Sequence, residues 1–282
     1  MYHRVCERNP DTACYFTRGT AVTPQTFHAQ IQALSKRVKF VTLSQGMALL
    51  QGMPSQTLCA ITFDDGYRDV LEHQISDYPL TLFPVARHLA HSNSLIFIDH
   101  YYALLHRAQK RHGIRLEGNT MDIDGNLEWW VKGAVKESLQ QATQRNNLLQ
   151  QLTEILQVSK LPTPQQLYLS QSELSQLTKQ GHEIGGHGAT HQRLTELSES
   201  ELQTELRESY QLVEKFRGAT SKSFCYPDGR YNQHISGVVK KIGFDYACTV
   251  TQGNTQADTP FFQLPRIFMR ETLVSFGGYA TA

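Results

Sequence analysis

The sequence has no uninterrupted apolar run near the roughly 20 residues that a bilayer-spanning helix requires. Its opening, MYHRVCERNP, lacks the apolar centre of a secretory leader. With Met1 as the true start the expected location is the cytoplasm; with a longer precursor, export is open. Cysteine is scarce and irregular: Cys6, Cys14, Cys59, Cys225 and Cys248 are odd in number and nowhere spaced C-x-x-C. That pattern argues against a disulfide framework and a cysteine zinc site, and for a reducing compartment. Charge excess is also missing. Lys plus Arg number 27 against 26 Asp plus Glu, and a net charge of +1 gives no footprint for nucleic acid or an acidic membrane surface. No internal repeat or low-complexity segment is evident. The 282 residues are expected to form one domain, residues 1–282.

What is present is an alternation of strand and helix signals. In LCAITFDDGYRDV an apolar run reads as a buried strand and ends in paired Asp64 and Asp65 before Gly66. Asp-Gly is equally a plain turn signal, so a merely solvated doublet is the alternative. Thr23-Pro24 reads as a helix start, with Phe27, Ile31, Leu34 and Val38 following at helical spacing. KFVTL and LTLFPVA read as strands, Ser44 through Leu50 as a short helix, and a further helix is expected near Asp69–Ile75. Ser170 with Glu173, and Ser198 with Glu201, are capping-box patterns. The second opens a long helix carrying Leu202, Leu206, Val213 and Phe216 on one face. SFCYP, a helix near Ile235–Ile242 and DYACTV complete the alternation, which predicts an α/β fold with a parallel sheet, closed or nearly closed into a barrel.

One interruption, about residues 99–169, reads as a helical insertion. Its adjacent Trp129 and Trp130 suit aromatic packing against the barrel; a lid or a sugar-stacking wall is the alternative.

The segment GHEIGGHGATH sets His187 and His191 four residues apart, so both imidazoles can face one point. Two imidazoles and one carboxylate leave coordination positions open, as a catalytic rather than a structural metal site requires. Water held there would lose proton affinity and become nucleophilic near neutral pH.

Taken in order, TFDDGY, GHEIGGHGATH, FCYPDGRYN, YACTV and LPRI resemble the polysaccharide deacetylases of carbohydrate esterase family 4. The resemblance runs from MYHRV to LPRIF and implies a distorted (β/α) barrel. It implies that Asp65, His187 and His191 hold one divalent metal ion, most simply zinc, with cobalt, nickel or manganese open. Asp64 becomes the general base and Arg266 of LPRI the residue that keeps it ionised. The backbone N–H of Asp228 would stabilise the oxyanion, with Tyr226, Pro227 and Tyr231 at the sugar. The implied reaction is removal of N-acetyl groups from an amino-sugar glycan or glycolipid precursor.

The chain departs from the family pattern in three places. Gly188 follows the first histidine where many members carry serine or threonine, and Lys222 and Ser223 stand where some carry a base-positioning arginine. No histidine follows His234 to act as a late general acid, which leaves His3 of MYHRV or Asp64 itself to deliver the proton. Two other readings remain: a metal-dependent deformylase or amidase on the same scaffold, and a carbohydrate-binding protein with weakened chemistry.

Overall fold

The computed structural model describes residues 1–272 apart from 51, 53, 109–113, 117–118, 122, 134–136, 138, 140–141, 159 and 217–221. Parts of the YYALLHRAQKRHG and EGNTMDIDGN stretches of the insertion therefore lie outside the described residues. The chain is mixed α/β with parallel sheets. Strands β1 (Arg4–Val5), β2 (Ala21–Val22), β3 (Lys39–Val41), β4 (Leu58–Asp65) and β5 (Leu80–Pro84) precede the insertion. The short insertion strands β6 (Ile114–Leu116) and β7 (Asn119–Met121) form a separate antiparallel pair. Strands β8 (Glu183–Ile184), β9 (Ser223–Cys225) and β10 (Tyr246–Cys248) follow it.

Pairing is parallel through β3-β4-β5-β8, and β9 pairs with β10. The Gly186–Phe224 bridge joins β8 to β9, and the Cys248–Leu264 bridge extends the series. Backbone bonds then return to the start. The amino group of Met1 donates to the Ile267 carbonyl, the Met269 N–H donates to the Met1 carbonyl, and Tyr2 pairs with Phe63 of β4. This circuit is what a distorted barrel requires. It also sets the ends of β4, β8, β9 and β10 at one mouth, where barrel active sites collect.

Local sequence explains the elements. Helix α1 is Ala13–Arg18; α2 is Pro24–Ser35, where the Thr23 hydroxyl accepts from the Thr26 N–H and proline fills the first helical position. Helix α3 is Leu43–Leu50. The insertion supplies α4 (Phe97–Ala108), α5 (Ile123–Lys132) and α6 (Ala142–Leu156), followed by the single turn α7 (Pro164–Leu167). Ser170 and Glu173 form the expected capping box on α8 (Gln171–Lys179). Ser198 and Glu201 exchange the same bonds ahead of α9 (Glu199–Phe216), whose Leu202, Leu206, Val213 and Phe216 are buried. Helix α10 (Gln233–Ile242) starts on Asn232, whose side chain accepts from the Ile235 N–H.

One expected helix is absent. Residues near Asp69–Ile75 form two short 3₁₀ turns, Arg68–Leu71 and Ile75–Asp77, because His73 and Gln74 have positive φ and break the repeat. The Asp69 carboxylate is meanwhile drawn into a two-bond pair with the Arg4 guanidinium at 2.8 and 2.9 Å.

The insertion has its own apolar cluster, which takes in Tyr15, Ala21, Tyr67 and Val85 from outside it. Trp130 is fully buried there with Tyr101, whose hydroxyl donates to the Trp130 carbonyl at 2.7 Å. Trp129 stands perpendicular to Trp130 and is 36% exposed. Neither tryptophan lines the cavity at the barrel mouth.

Candidate active site

Strand β4 presents Thr62 and Asp64 on one face, since alternate residues of a strand share a side. Arg266, 202 residues away in sequence, reaches across to both. Its Nη1 donates to Asp64 Oδ1 at 2.7 Å and Thr62 Oγ1 at 3.2 Å, and its Nη2 to Asp64 Oδ2 at 2.8 Å. Nη2 also lies 3.0 Å from Cys225 Sγ, and Nε donates to the Thr249 carbonyl at 2.9 Å. Burial alone would push the Asp64 carboxyl up, but the Arg266 charge and its two bonds hold it far below the usual carboxylate range.

The backbone reverses immediately after. Asp65 has φ +70°, Gly66 φ +75°, and a Cβ at Gly66 would lie 2.8 Å from Pro84 Cβ. Only glycine fits so tight a passage in the left-handed region. Among the described residues, positive φ at non-glycine positions also occurs at His191 and Asp228, which line the same cavity, and at His73, Gln74 and Gln157, which do not. The turn separates the doublet: Asp64 faces Arg266, and Asp65 faces the histidines.

Asp65 Oδ1 lies 3.4 Å from His187 Nε2 and 3.2 Å from His191 Nε2. All three groups are wholly or largely buried, and these atoms lie within 4.8 Å of one another. His187 Nδ1 faces the Cys225 carbonyl at 2.8 Å, and a carbonyl only accepts, so that nitrogen carries the proton. In the neutral imidazole Nε2 then turns a lone pair toward Asp65. Asp65 Oδ1 is buried without an aligned hydrogen-bond donor, despite both nitrogens being in ion-pair range. Two imidazole nitrogens, one with its lone pair fixed toward Asp65, beside an unsatisfied buried carboxylate oxygen are a donor set a divalent cation satisfies. Burial opposes ionisation of Asp65; with no metal bound, a proton shared onto the neighbouring imidazoles outweighs burial and holds the carboxyl well below its ordinary value, and a cation in the same place would act in the same direction.

These groups line a cavity of about 380 Å³ together with His3, Tyr15, Arg18, Tyr67, Tyr226, Asp228 and Arg270. His3 Nδ1 is buried and unpartnered, and burial lowers its imidazole below the usual range, against the pull of Asp65 and Asp64. The Asp228 carboxylate is gripped by Arg193 at 2.7 Å, with Arg18 at 3.6 Å. Tyr226 stacks on Tyr231 at 4.6 Å and donates to the Phe262 carbonyl at 3.2 Å. Pro227 and Tyr231 are not among the lining residues, so of the three expected sugar contacts only Tyr226 faces this cavity.

Sequence reasoning missed a buried network beside the site. The Asp99 carboxylate accepts three tyrosine hydroxyls: Tyr15 at 2.6 Å, Tyr67 at 2.7 Å and Tyr168 at 2.5 Å. Arg4 stacks over the Tyr15 and Tyr67 rings at 4.8 and 5.0 Å. Asp99 and Tyr168 open and close the insertion, while Tyr67 follows Gly66 directly and Leu169 donates to the Gly66 carbonyl at 3.0 Å. The insertion is thus tied to the turn that carries Asp65. The only sequence signal was a charged residue inside the aromatic run FIDHYY.

The polysaccharide deacetylase family model matches residues 51–247, well over half of the chain and inclusive of both aspartates and both histidines. The chain belongs to the polysaccharide deacetylase family. A solved polysaccharide deacetylase of Bacillus cereus is 16% identical with a TM-score of 0.62, covering all of this chain and 67% of its own. IcaB of Ammonifex degensii is also 16% identical, with a TM-score of 0.59 over 100% of this chain and 95% of that one. At such identity these likenesses show the fold. YxkH of Bacillus subtilis (strain 168), named for the same family, is 24% identical over 114 residues, 40% of this chain. The chain spans about two fifths (41%) of that relative's length. Family membership places Asp64, Asp65, His187 and His191 within the matched segment, and leaves His3 and Arg266 outside it.

Proposed function

We propose that this chain is a metal-dependent hydrolase that removes N-acetyl groups from an amino-sugar polysaccharide or glycan precursor, working as the single domain 1–282. The observation that carries the reading is the convergence of His187 and His191 Nε2 on buried Asp65 Oδ1, beside the Arg266-paired Asp64. Asp65, His187 and His191 would hold one divalent cation, most simply zinc; when bound, it polarises the acetamide carbonyl and acidifies a water.

The chain's own groups do the rest. Asp64 is ionised at any working pH because Arg266 holds it so, and it takes the proton from the attacking water. The backbone N–H of Asp228 lies on the loop that follows β9 and donates to the developing oxyanion. His3, on the cavity wall, delivers a proton to the leaving amine nitrogen; otherwise Asp64 returns the one it took. The solved structure of a Streptococcus pyogenes deacetylase, PplD, 14% identical to this chain, is a complex with acetate, the product expected here.

The test is acetate release from N-acetylglucosamine oligomers, poly-N-acetylglucosamine and peptidoglycan fragments. Asp64→Asn should keep bound zinc and lose about a hundredfold or more in rate, as for removal of a general base. Asp65→Asn should lose zinc as well. Equal loss of metal in both variants would break the division of labour, and formate release without acetate would favour a deformylase.

A further inference from the structure

The loop between the two histidines runs from Gly188 to Thr190, and its polar groups can be accounted for almost completely. On one side its carbonyls accept from the segment after β5: Ala86 N–H donates to Gly188 at 3.1 Å and Arg87 N–H to Ala189 at 2.9 Å. On the other side its N–H groups go to one side chain of α9. Glu205 Oε2 accepts from the Ala189 N–H at 2.7 Å and the Thr190 N–H at 3.0 Å, while Oε1 accepts from the Thr190 hydroxyl at 2.6 Å. Glu205 is 5% exposed, so a carboxylate has been taken out of water to hold this one loop.

The residue at 188 fits the same arrangement. Gly188 has φ +74°, and a Cβ there would lie 3.1 Å from Glu205 Oε2 and 3.3 Å from Pro227 Cγ. A side chain at 188 would press on the carboxylate, and glycine leaves it room. The carboxylate spans the loop that fixes how far apart, and at what angle, the His187 and His191 rings stand; their centroids are 5.0 Å apart at 68°.

We infer that Glu205 is a positioning residue for the metal site, clamping the 188–190 loop so that both Nε2 atoms converge on Asp65. The inference rests on the ligand reading given under the proposed function. Groups that orient metal ligands typically contribute about 10- to 100-fold to metal affinity.

The test is zinc affinity by competition with a chromophoric chelator, together with the visible spectrum of the cobalt-substituted protein, on variants whose folding is checked by circular dichroism. Glu205→Ala should weaken zinc binding by about 10- to 100-fold and alter the cobalt spectrum. Glu205→Asp keeps the charge but withdraws the carboxylate by one methylene, and should weaken binding by about tenfold. Glu205→Gln, which retains an amide oxygen at full reach, should stay near wild-type affinity. If Glu205→Ala does not fold, Glu205→Asp decides. Folded variants with wild-type affinity and an unchanged cobalt spectrum refute the role of Glu205 while leaving the ligand set intact. A wild-type protein that takes up neither metal refutes the ligand set itself, and this inference with it.

Discussion

Replacing Arg266 by methionine should convert a stabilising buried ion pair into a buried, uncompensated carboxylate. Arg266 is 7% and Asp64 3% exposed, and two parallel bonds of 2.7 and 2.8 Å join them. Removing one partner of such a pair costs about 3–5 kcal/mol, a large share of the roughly 5–15 kcal/mol that holds a domain folded. The pH dependence gives the sharper signature. In the wild type Asp64 is held below its ordinary 3.8, so its contribution is fully present above that value and is lost as pH falls through the lower folded value. In Arg266→Met the burial effect is left without its main opponent and lifts Asp64 above 3.8. The folded variant then takes up a proton more readily than the unfolded chain, so it should gain stability between pH 7 and pH 5, where wild-type Asp64 contributes no slope. Urea unfolding at the two pH values, with chelator present so that metal linkage drops out, measures this directly. Asp64→Asn added to Arg266→Met should recover stability and abolish the pH-dependent gain. A loss below about 1 kcal/mol, or identical pH slopes in variant and wild type, would refute the buried-pair account.

The remaining expectations concern single positions. If His3 is the acid, kcat/KM should fall as pH rises through a value below 6.5, because burial lowers the imidazole; His3→Gln should remove that limb and much of the rate. A folded His3→Gln with unchanged rate and limb would leave Asp64 as both base and acid. Gly66→Ala forces a Cβ to 2.8 Å from Pro84 Cβ at φ +75°, so it should cost on the order of 1–3 kcal/mol in thermal or urea unfolding and displace Asp65, read as weaker zinc binding. Wild-type zinc affinity in that variant would show that the turn does not place the ligand.

The sequence by itself determined the elements whose cause is local. The capping boxes at Ser170 and Ser198, the Thr23-Pro24 start and the β4 run are written in neighbouring residues, and a parallel α/β fold follows from their alternation. The His187–His191 spacing and the aspartate doublet were legible for the same reason. The helix expected near Asp69 was misread because Arg4, distant in sequence, claims that carboxylate and positive φ at His73 and Gln74 ends the repeat. That Asp64 and Asp65 face apart also follows from their adjacency at a strand end, where neighbours point to opposite sides; the +70° turn at Asp65 is visible only in the tertiary structure. The Arg266 partner of Asp64 comes from the resemblance of the LPRI segment and not from any local pattern, and only the tertiary structure gave its two-bond geometry and folded Asp99 under three tyrosines from three separate segments. Such contacts depend on which surfaces come together when the chain packs, and residues 202 apart leave no periodic trace of their meeting.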